Sequence, residues 1–293
     1  MDPTLKTKTI SKLKSDFSTL SPRLQAVAKY IVDHPADFGL DSIRETARKA
    51  DVSTYTLVRM AGQMGFESFE DLREPFRHAL ISTSQVTAIP DWIENLQTAG
   101  ELGRVQADAA TNSIGVVQRS LERQTADQME RVVALLLGAQ NTYVTAARAS
   151  YGLAYYYHYV ARMALPSLQL IPRLMGSAID ELNEANEDDV LIAISFTPFS
   201  KETIEACKFA KKRGVKLIIL SDSEIISPDF TPDENLIVSA VSTHHFGCYA
   251  GAIAVIENLL AVLVQTAGDD AKQRIENYED LRQNHDAYWR QRK

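Results

Sequence analysis

Within seven residues the chain sets Ser53, Thr54, Tyr55, Thr56 and Arg59, with Lys49 just before them. Hydroxyls of this kind bond phosphates or base edges, and a guanidinium pairs bidentately with guanine or clamps a phosphate. The set suits contact with double-stranded DNA, provided a rigid helix presents it. The plainer reading is a helical hairpin whose polar face meets water.

Two further stretches gather hydroxyls around a cation. Ala147-Arg148-Ala149-Ser150 offers Arg148 and Ser150, and 195–203 (SFTPFSKET) offers Ser195, Thr197, Ser200 and Thr203. Each follows an apolar run and opens a helical pattern. Free N–H groups at a helix start carry partial positive charge, so hydroxyls beside them can complete a site for a phosphate or carboxylate. Ser150 and Ser200 would equally serve as helix caps. His245 is a further candidate ligand contact, although its neighbour His244 cannot face the same pocket.

Little else carries chemistry. Glu181, Glu184, Glu187, Asp188 and Asp189 read as a solvated acidic run before a strand, not an acid/base pair. Tyr151, Tyr155, Tyr156, Tyr157 and Tyr159 share one apolar helix and read as core and interface filling. The six histidines, with Cys207 and Cys248, show neither metal nor disulfide spacing, so no metal, cofactor or disulfide framework is expected and a reducing cytoplasm fits.

The elements behind these residues fall into two kinds. Ser21-Pro22 announces a first helix, with Leu24, Val27, Ala28 and Ile31 at helical spacing, ending near His34-Pro35. Ser42 to Glu45 has the form of a capping box. Ala47, small where two helices cross, Asp51 at a corner wanting left-handed backbone, Val52 as plug and Ser53 as cap then predict a helix-turn-helix. Leu57, Met60 and Met64 point inward, Gly65 ends the second helix, and Phe69, Leu72, Phe76 and Leu80 line a further one. The hydroxyl-rich 81–90 reads as a linker. From 92 to 138 the pattern is helical, with Leu102, Val105 and Ala109 on one stripe and a second capping box at Thr125 to Gln128.

Beyond 140, apolar runs at 142–146, 190–194, 215–220 and 236–240 alternate with helical patterns at 151–163, 201–213 and 246–264. Alternation of this kind predicts parallel strands with crossover helices, which bind ligands at the strands' carboxyl ends. The last 25 residues, with Tyr278, Leu281 and Trp289, suit an amphipathic helix packed on a partner subunit. Four domains of work follow: 1–80 a DNA-binding head, 81–129 a connection, 130–268 an α/β sensing domain, 269–293 a terminal helix.

With 293 residues and 45% hydrophobic content the chain can bury two cores. Net charge is −7, yet residues 1–80 hold 12 Lys and Arg against 11 Asp and Glu. The acidity therefore lies in the second part, leaving the head free to approach phosphates. No apolar run reaches the roughly 20 residues that span a bilayer, because 250–264 is broken by Glu257 and Asn258. No membrane partner is expected.

The stretch from Leu20 to Leu80 resembles the N-terminal domain of RpiR-type transcriptional regulators, in the run from Ala47 through Val52-Ser53, Thr56, Arg59 and Gly65-Phe66 to Phe69-Asp71-Leu72. Residues 130–268 resemble the sugar isomerase (SIS) domain of the same family. The resemblance implies an all-α helix-turn-helix domain joined to a doubly wound, flavodoxin-like parallel sheet. It implies a homodimer or homotetramer that binds operator DNA and senses a small anionic metabolite, a phosphosugar or related acid. Ala147 and Ala149 stand where the family's first loop has glycines, and Pro198-Phe199 where the second has a serine-glycine turn. Glycine admits close backbone approach to a phosphate, so a narrower pocket and a different or smaller ligand are expected. SIS domains also occur in aldose–ketose phosphosugar isomerases, which remain the alternative, although no glutamate or histidine is marked as the required base. A protein-binding scaffold is a third reading.

Overall fold

The computed structural model describes residues 5–82, 90–174, 176–285 and 287. Its contacts divide the chain into two compact units: Met1–Asp91 with Ser223–Pro228, and Trp92–Asp222 with Asp229–Lys293. Most of the expected linker, 83–89, lies outside the described residues, as does Trp289.

The first unit is helical: α1 (Leu5–Asp16), α2 (Pro22–Asp33), α3 (Pro35–Leu40), α4 (Ile43–Lys49), α5 (Thr54–Met64) and α6 (Phe69–Ser82). Leu13, Leu24, Val27, Ile31, Phe38, Leu57, Met60, Leu72 and Phe76 form one core. Phe38 is its aromatic hub, edge-on to Phe69 at 5.6 Å and to Phe76 at 5.0 Å. Ile225, from the segment 223–228, is buried in the same core.

Two helices here precede or interrupt the expected ones. α1 buries only Thr9 and Leu13, too few to make a stripe. α3 is six residues long, too short to show a helical period, and starts at Pro35, which suits a first-turn position. The caps form by half. Ser42 Oγ accepts the Glu45 N–H at 3.3 Å, but the Glu45 carboxylate turns to Arg48, whose Nε donates to it at 3.2 Å. Thr125 Oγ1 likewise accepts the Gln128 N–H at 3.2 Å, while the Gln128 amide donates to the Asn235 carbonyl at 3.0 Å. Gly65 closes α5 at φ 91° in the left-handed region that glycine enters without strain.

The second unit contains α7 (Asp91–Thr98), α8 (Gly100–Leu121), α9 (Ala126–Gly138), β1 (Thr142–Ala146), α10 (Tyr151–Ala161), β2 (Leu168–Ile171), α11 (Ala178–Glu181), β3 (Val190–Ile194), α12 (Lys201–Lys212), β4 (Lys216–Ser221), β5 (Glu234–Ile237), α13 (Ala250–Thr266) and α14 (Gly268–Asn284). The five strands are parallel in the order β2-β1-β3-β4-β5. This is the flavodoxin-like doubly wound order, as expected. β1 and β3 are buried along their whole length, which explains the unbroken apolar run of β3; β1 buries Thr142 and Thr145 as well. β2 was not expected: it is a four-residue edge strand, half-buried at its centre.

Three packing details correct the expected pattern. Leu102 and Val105 are exposed, and α8 instead buries Gly103, Ala107, Val116 and Ser120. Asp189 is not solvated: at 1% exposure it accepts from the Asn141 N–H at 2.9 Å, the Asn141 amide at 3.0 Å and the Asn186 N–H at 3.0 Å. The buried carboxylate thereby ties the starts of β1 and β3. Among the tyrosines at 151–159 only Tyr157 is fully buried, and burial holds its hydroxyl pKa above the ordinary tyrosine range. No single described helix is long and apolar enough to cross a membrane.

α8 crosses α13 at Gly251. A Cβ there would overlap Ser120 Oγ and stand 2.9 Å from the Val116 carbonyl oxygen. Ser120 has no room to yield, because its hydroxyl donates to the Val116 carbonyl at 2.7 Å and accepts the Ser239 N–H at 2.9 Å. Gly251→Ala is expected to cost roughly 1–3 kcal/mol, the range for overpacking a tight core contact. Thermal or urea unfolding measures it, and an unchanged midpoint would contradict the crossing described.

Candidate functional site

In the first unit backbone hydrogen bonds build the corner between α4 and α5, the Asp51 N–H donating to the Arg48 carbonyl at 3.3 Å. The Val52 N–H donates to the Ala47 carbonyl at 3.0 Å, and Asp51 takes φ 52° between them. Ser53 then caps α5, its Oγ accepting the Thr56 N–H at 3.3 Å. α5 buries Thr56, Leu57, Met60, Ala61 and Met64. Thr54, Tyr55, Val58, Arg59, Gly62 and Gln63 face out.

Two expected contacts are drawn inward. Thr56 is buried and its hydroxyl lies 2.9 Å from Ser53 Oγ, because position 56 falls on the face that packs with Leu57 and Met60. Lys49 is exposed, yet its ammonium sits 2.9 Å from Asp41 and 3.2 Å from Asp37, and the Asp41 hydrogen bond raises its pKa. Arg48 is likewise held by Glu45. Arg59 makes no hydrogen bond or ion pair among the described residues, nor does Arg44 on α4. Sequence reasoning passes over Arg44, since only the pairing of its neighbours distinguishes it.

In the second unit the loops after β1 and β3 meet at the point where strand order reverses, the usual crevice of doubly wound sheets. Ser150 is buried in a short 3-10 turn leading into α10. In the second loop Ser195 is buried, and its Oγ accepts the Ser200 N–H at 3.4 Å. Ser200 caps α12 by accepting the Thr203 N–H at 3.3 Å, and Thr203 itself is buried. Thr197 is directed elsewhere: its N–H and hydroxyl donate to the Asp222 carboxylate at 2.9 and 3.2 Å. Phe196 stacks on Tyr249 with ring centroids 4.8 Å apart.

Arg148 spans the two loops, its Nη2 lying 3.9 Å from Glu202 Oε1. The Glu202 carboxyl is held below the usual carboxylate range, first by the Ser200 hydroxyl donating at 2.6 Å, then by its own backbone N–H and the Arg148 charge. The site is thus a mixture of hydroxyls, one guanidinium and two carboxylates, Glu202 and Asp222. Neither carboxylate has a spacing that sequence reasoning could single out; Asp222 is marked only by following β4 at its carboxyl end. His245 is exposed and edge-on to Phe246 at 5.4 Å, with no hydrogen bond or ion pair to either loop among the described residues.

These features match known proteins. Residues 7–82 match the model of the rpiR-family helix-turn-helix domain, and residues 135–267 match that of the SIS domain. The chain belongs to the RpiR-type transcriptional regulators. It is 24% identical over 246 residues to the bifunctional protein glk of Paraburkholderia xenovorans, covering 84% of this chain but 36% of that one. The chain thus spans about a third of the curated relatives it first matches. An uncharacterized HTH-type regulator, YbbH of Bacillus subtilis, is 24% identical over 210 residues, 69% of each chain. The SIS domain of an RpiR transcription factor from Sphaerobacter thermophilus shares the fold at TM-score 0.56 and 21% identity, covering 60% of this chain and 99% of that one. The Vibrio vulnificus NanR protein, solved with ManNAc-6P, shares it at TM-score 0.54 and 19% identity over 94% and 97% of the two chains.

In this RpiR-type chain the left-handed residue of the first loop is Arg148 itself, at φ 57°, whereas Ala147 is extended at φ −125°. The absence of glycine therefore bears on the backbone at 148, not at the two alanines. An L-residue other than glycine is strained there. Arg148→Gly is expected to unfold later than Arg148→Ala by roughly 1 kcal/mol, although both lose the guanidinium. Thermal melts of the two variants compare them, and equal midpoints would count against the positive φ.

Proposed function

We propose that this regulator binds operator DNA through the exposed face of α5 and adjusts its affinity to a small anionic metabolite held at the crevice of its SIS domain. The observation that carries the first half is the outward face of α5 in a helix-turn-helix, with Arg59 left unpaired among the described residues. Ser53, Thr54 and Tyr55 contribute phosphate or base-edge contacts, and Arg59 a guanine or phosphate contact. Thr56 supports the helix from within, and Lys49 acts through its aspartate pair. A symmetric homodimer or homotetramer sets two such helices about 34 Å apart, one turn of DNA.

For the second half, Arg148, Ser150, Ser195, Ser200 and Thr203 surround the starts of the helices after β1 and β3, where N–H dipoles favour an anion. Thr197 shapes the loop through Asp222. NanR, a protein of the same fold solved with a phosphosugar, supports a phosphosugar or related acid as ligand. His245 lies outside this set. The division of labour is head 1–80, connection 81–129, sensing domain 130–268 and terminal helix 269–293; the matched stretches 7–82 and 135–267 support the head and the sensing domain. An isomerase would need a base at a carbon-bound proton. The Glu202 carboxylate is already engaged by Ser200 and Arg148, so a non-enzymatic sensor fits better.

Two outcomes are expected. Arg59→Ala weakens binding to the protein's own promoter by about 1–3 kcal/mol, the worth of a direct arginine contact, with its melting temperature unchanged; gel-shift titration showing equal affinity would contradict this. Calorimetric screening against sugar phosphates, carboxylic acids and neutral sugars detects binding among the anions, and a ligand set of neutral molecules alone would overturn the anion site.

A further inference from the structure

The exposed face of α5 contains two residues that hydrogen bonding to DNA does not explain. Tyr55, Val58, Arg59 and Gly62 stand at i, i+3, i+4 and i+7 and share one side of the helix. Val58 is 48% exposed, a β-branched apolar side chain between Tyr55, itself 70% exposed, and Arg59. Nothing in the fold calls for valine at an outward helical position, where its branched side chain lowers helix propensity.

Gly62 is as unexplained by the fold. It lies inside α5, where glycine weakens a helix relative to alanine. Its φ is not in the left-handed region, and a Cβ built on it would meet nothing within 4 Å. Neither backbone conformation nor internal packing therefore requires glycine. What a bare backbone at this position permits is close approach by something outside the chain.

We propose that Val58 packs against the 5-methyl group of a thymine in the major groove, and that Gly62 lets the α5 backbone lie close against the DNA beside it. The thymine methyl is the apolar group that the major groove offers, and it is read by apolar side chains. With Arg59 adjacent, one helical turn then carries an apolar contact to thymine and a charged contact to guanine or phosphate. The inference rests on the DNA-binding reading above and adds to it the residues that set sequence preference.

The test uses the full chain and duplexes enriched from a random pool by binding to it. Thymines of an enriched duplex are replaced one at a time by deoxyuridine, which removes only the methyl group. For the wild type, at least one replacement in each half-site lowers affinity about fourfold, the value of one buried methyl. Val58→Ala binds the thymine and uracil forms of that duplex equally. Gly62→Ala melts at a higher temperature than the wild type and yet binds more weakly, a combination that a purely structural glycine would not give. Wild-type affinity indifferent to every replacement, or discrimination retained in Val58→Ala, overturns the thymine contact. Undiminished affinity in Gly62→Ala overturns the close approach. A wild type that enriches no duplex overturns the DNA-binding reading itself.

Discussion

Left-handed backbone at two non-glycine residues shapes both candidate sites of this chain. Among the described residues Asp51 and Arg148 are the two such positions, at φ 52° and 57°. Each stands immediately before a helix start that carries a candidate site. At Asp51 the reversal lets the Val52 N–H return to the Ala47 carbonyl, so the chain turns from α4 into α5 with Thr54 and Tyr55 exposed and Thr56 and Leu57 buried. At Arg148 it turns the chain out of β1 into the 3-10 turn that buries Ser150. A corner of this kind is costly to any L-residue, and it persists because packing on both sides determines it. Ala47 and Leu57 anchor the first, β1 and α10 the second.

Charge is sorted by the same geometry. The head has several exposed cations, but α4 faces its own carboxylates: Arg48 meets Glu45, and Lys49 meets Asp37 and Asp41. Asp41 also accepts the Tyr30 hydroxyl at 2.9 Å, and burial, with that hydrogen bond, pushes the tyrosine's pKa upward. These contacts hold α4 against α2 and α3, so the cations on it are structural in part. Among the described residues Arg44 on α4 has no such partner, and neither has Arg59 on α5. Position, more than the count of basic residues, makes these two the more available charges for a phosphate or a base.

What the sequence made legible follows from length and periodicity. Helices with a long apolar stripe, α2, α5, α12 and α13, and the strands β1 and β3, fully buried, and β4, buried beyond Lys216, stand out because their patterns repeat. α1 and α3 do not: one buries two residues, the other is a single turn and a half anchored by Phe38. β2 is short and lies at an edge, where neither alternation nor a continuous apolar run develops. Side-chain partners were less legible than elements. Glu45 and Gln128 occupy the capping-box position, yet both found stronger or more distant partners, Arg48 and the Asn235 carbonyl.

The candidate sites divide in the same way. The helix starts at 53 and 200 were readable because a capping hydroxyl before a helical pattern has a local cause, whereas Ser150 makes no cap hydrogen bond. Which hydroxyls stay available is decided by contacts far along the chain. Thr197 is claimed by Asp222, 25 residues on, and Asp189, read as one member of a solvated run, is buried by Asn141, 48 residues earlier. Thr56 shows that even a local reading can fail by one helical step, since residues 55 and 56 differ by 100° about the axis: one is 70% exposed and the other buried. Spacing in sequence therefore locates a site's backbone, while the inward or outward sense of each side chain depends on the core against which its helix lies.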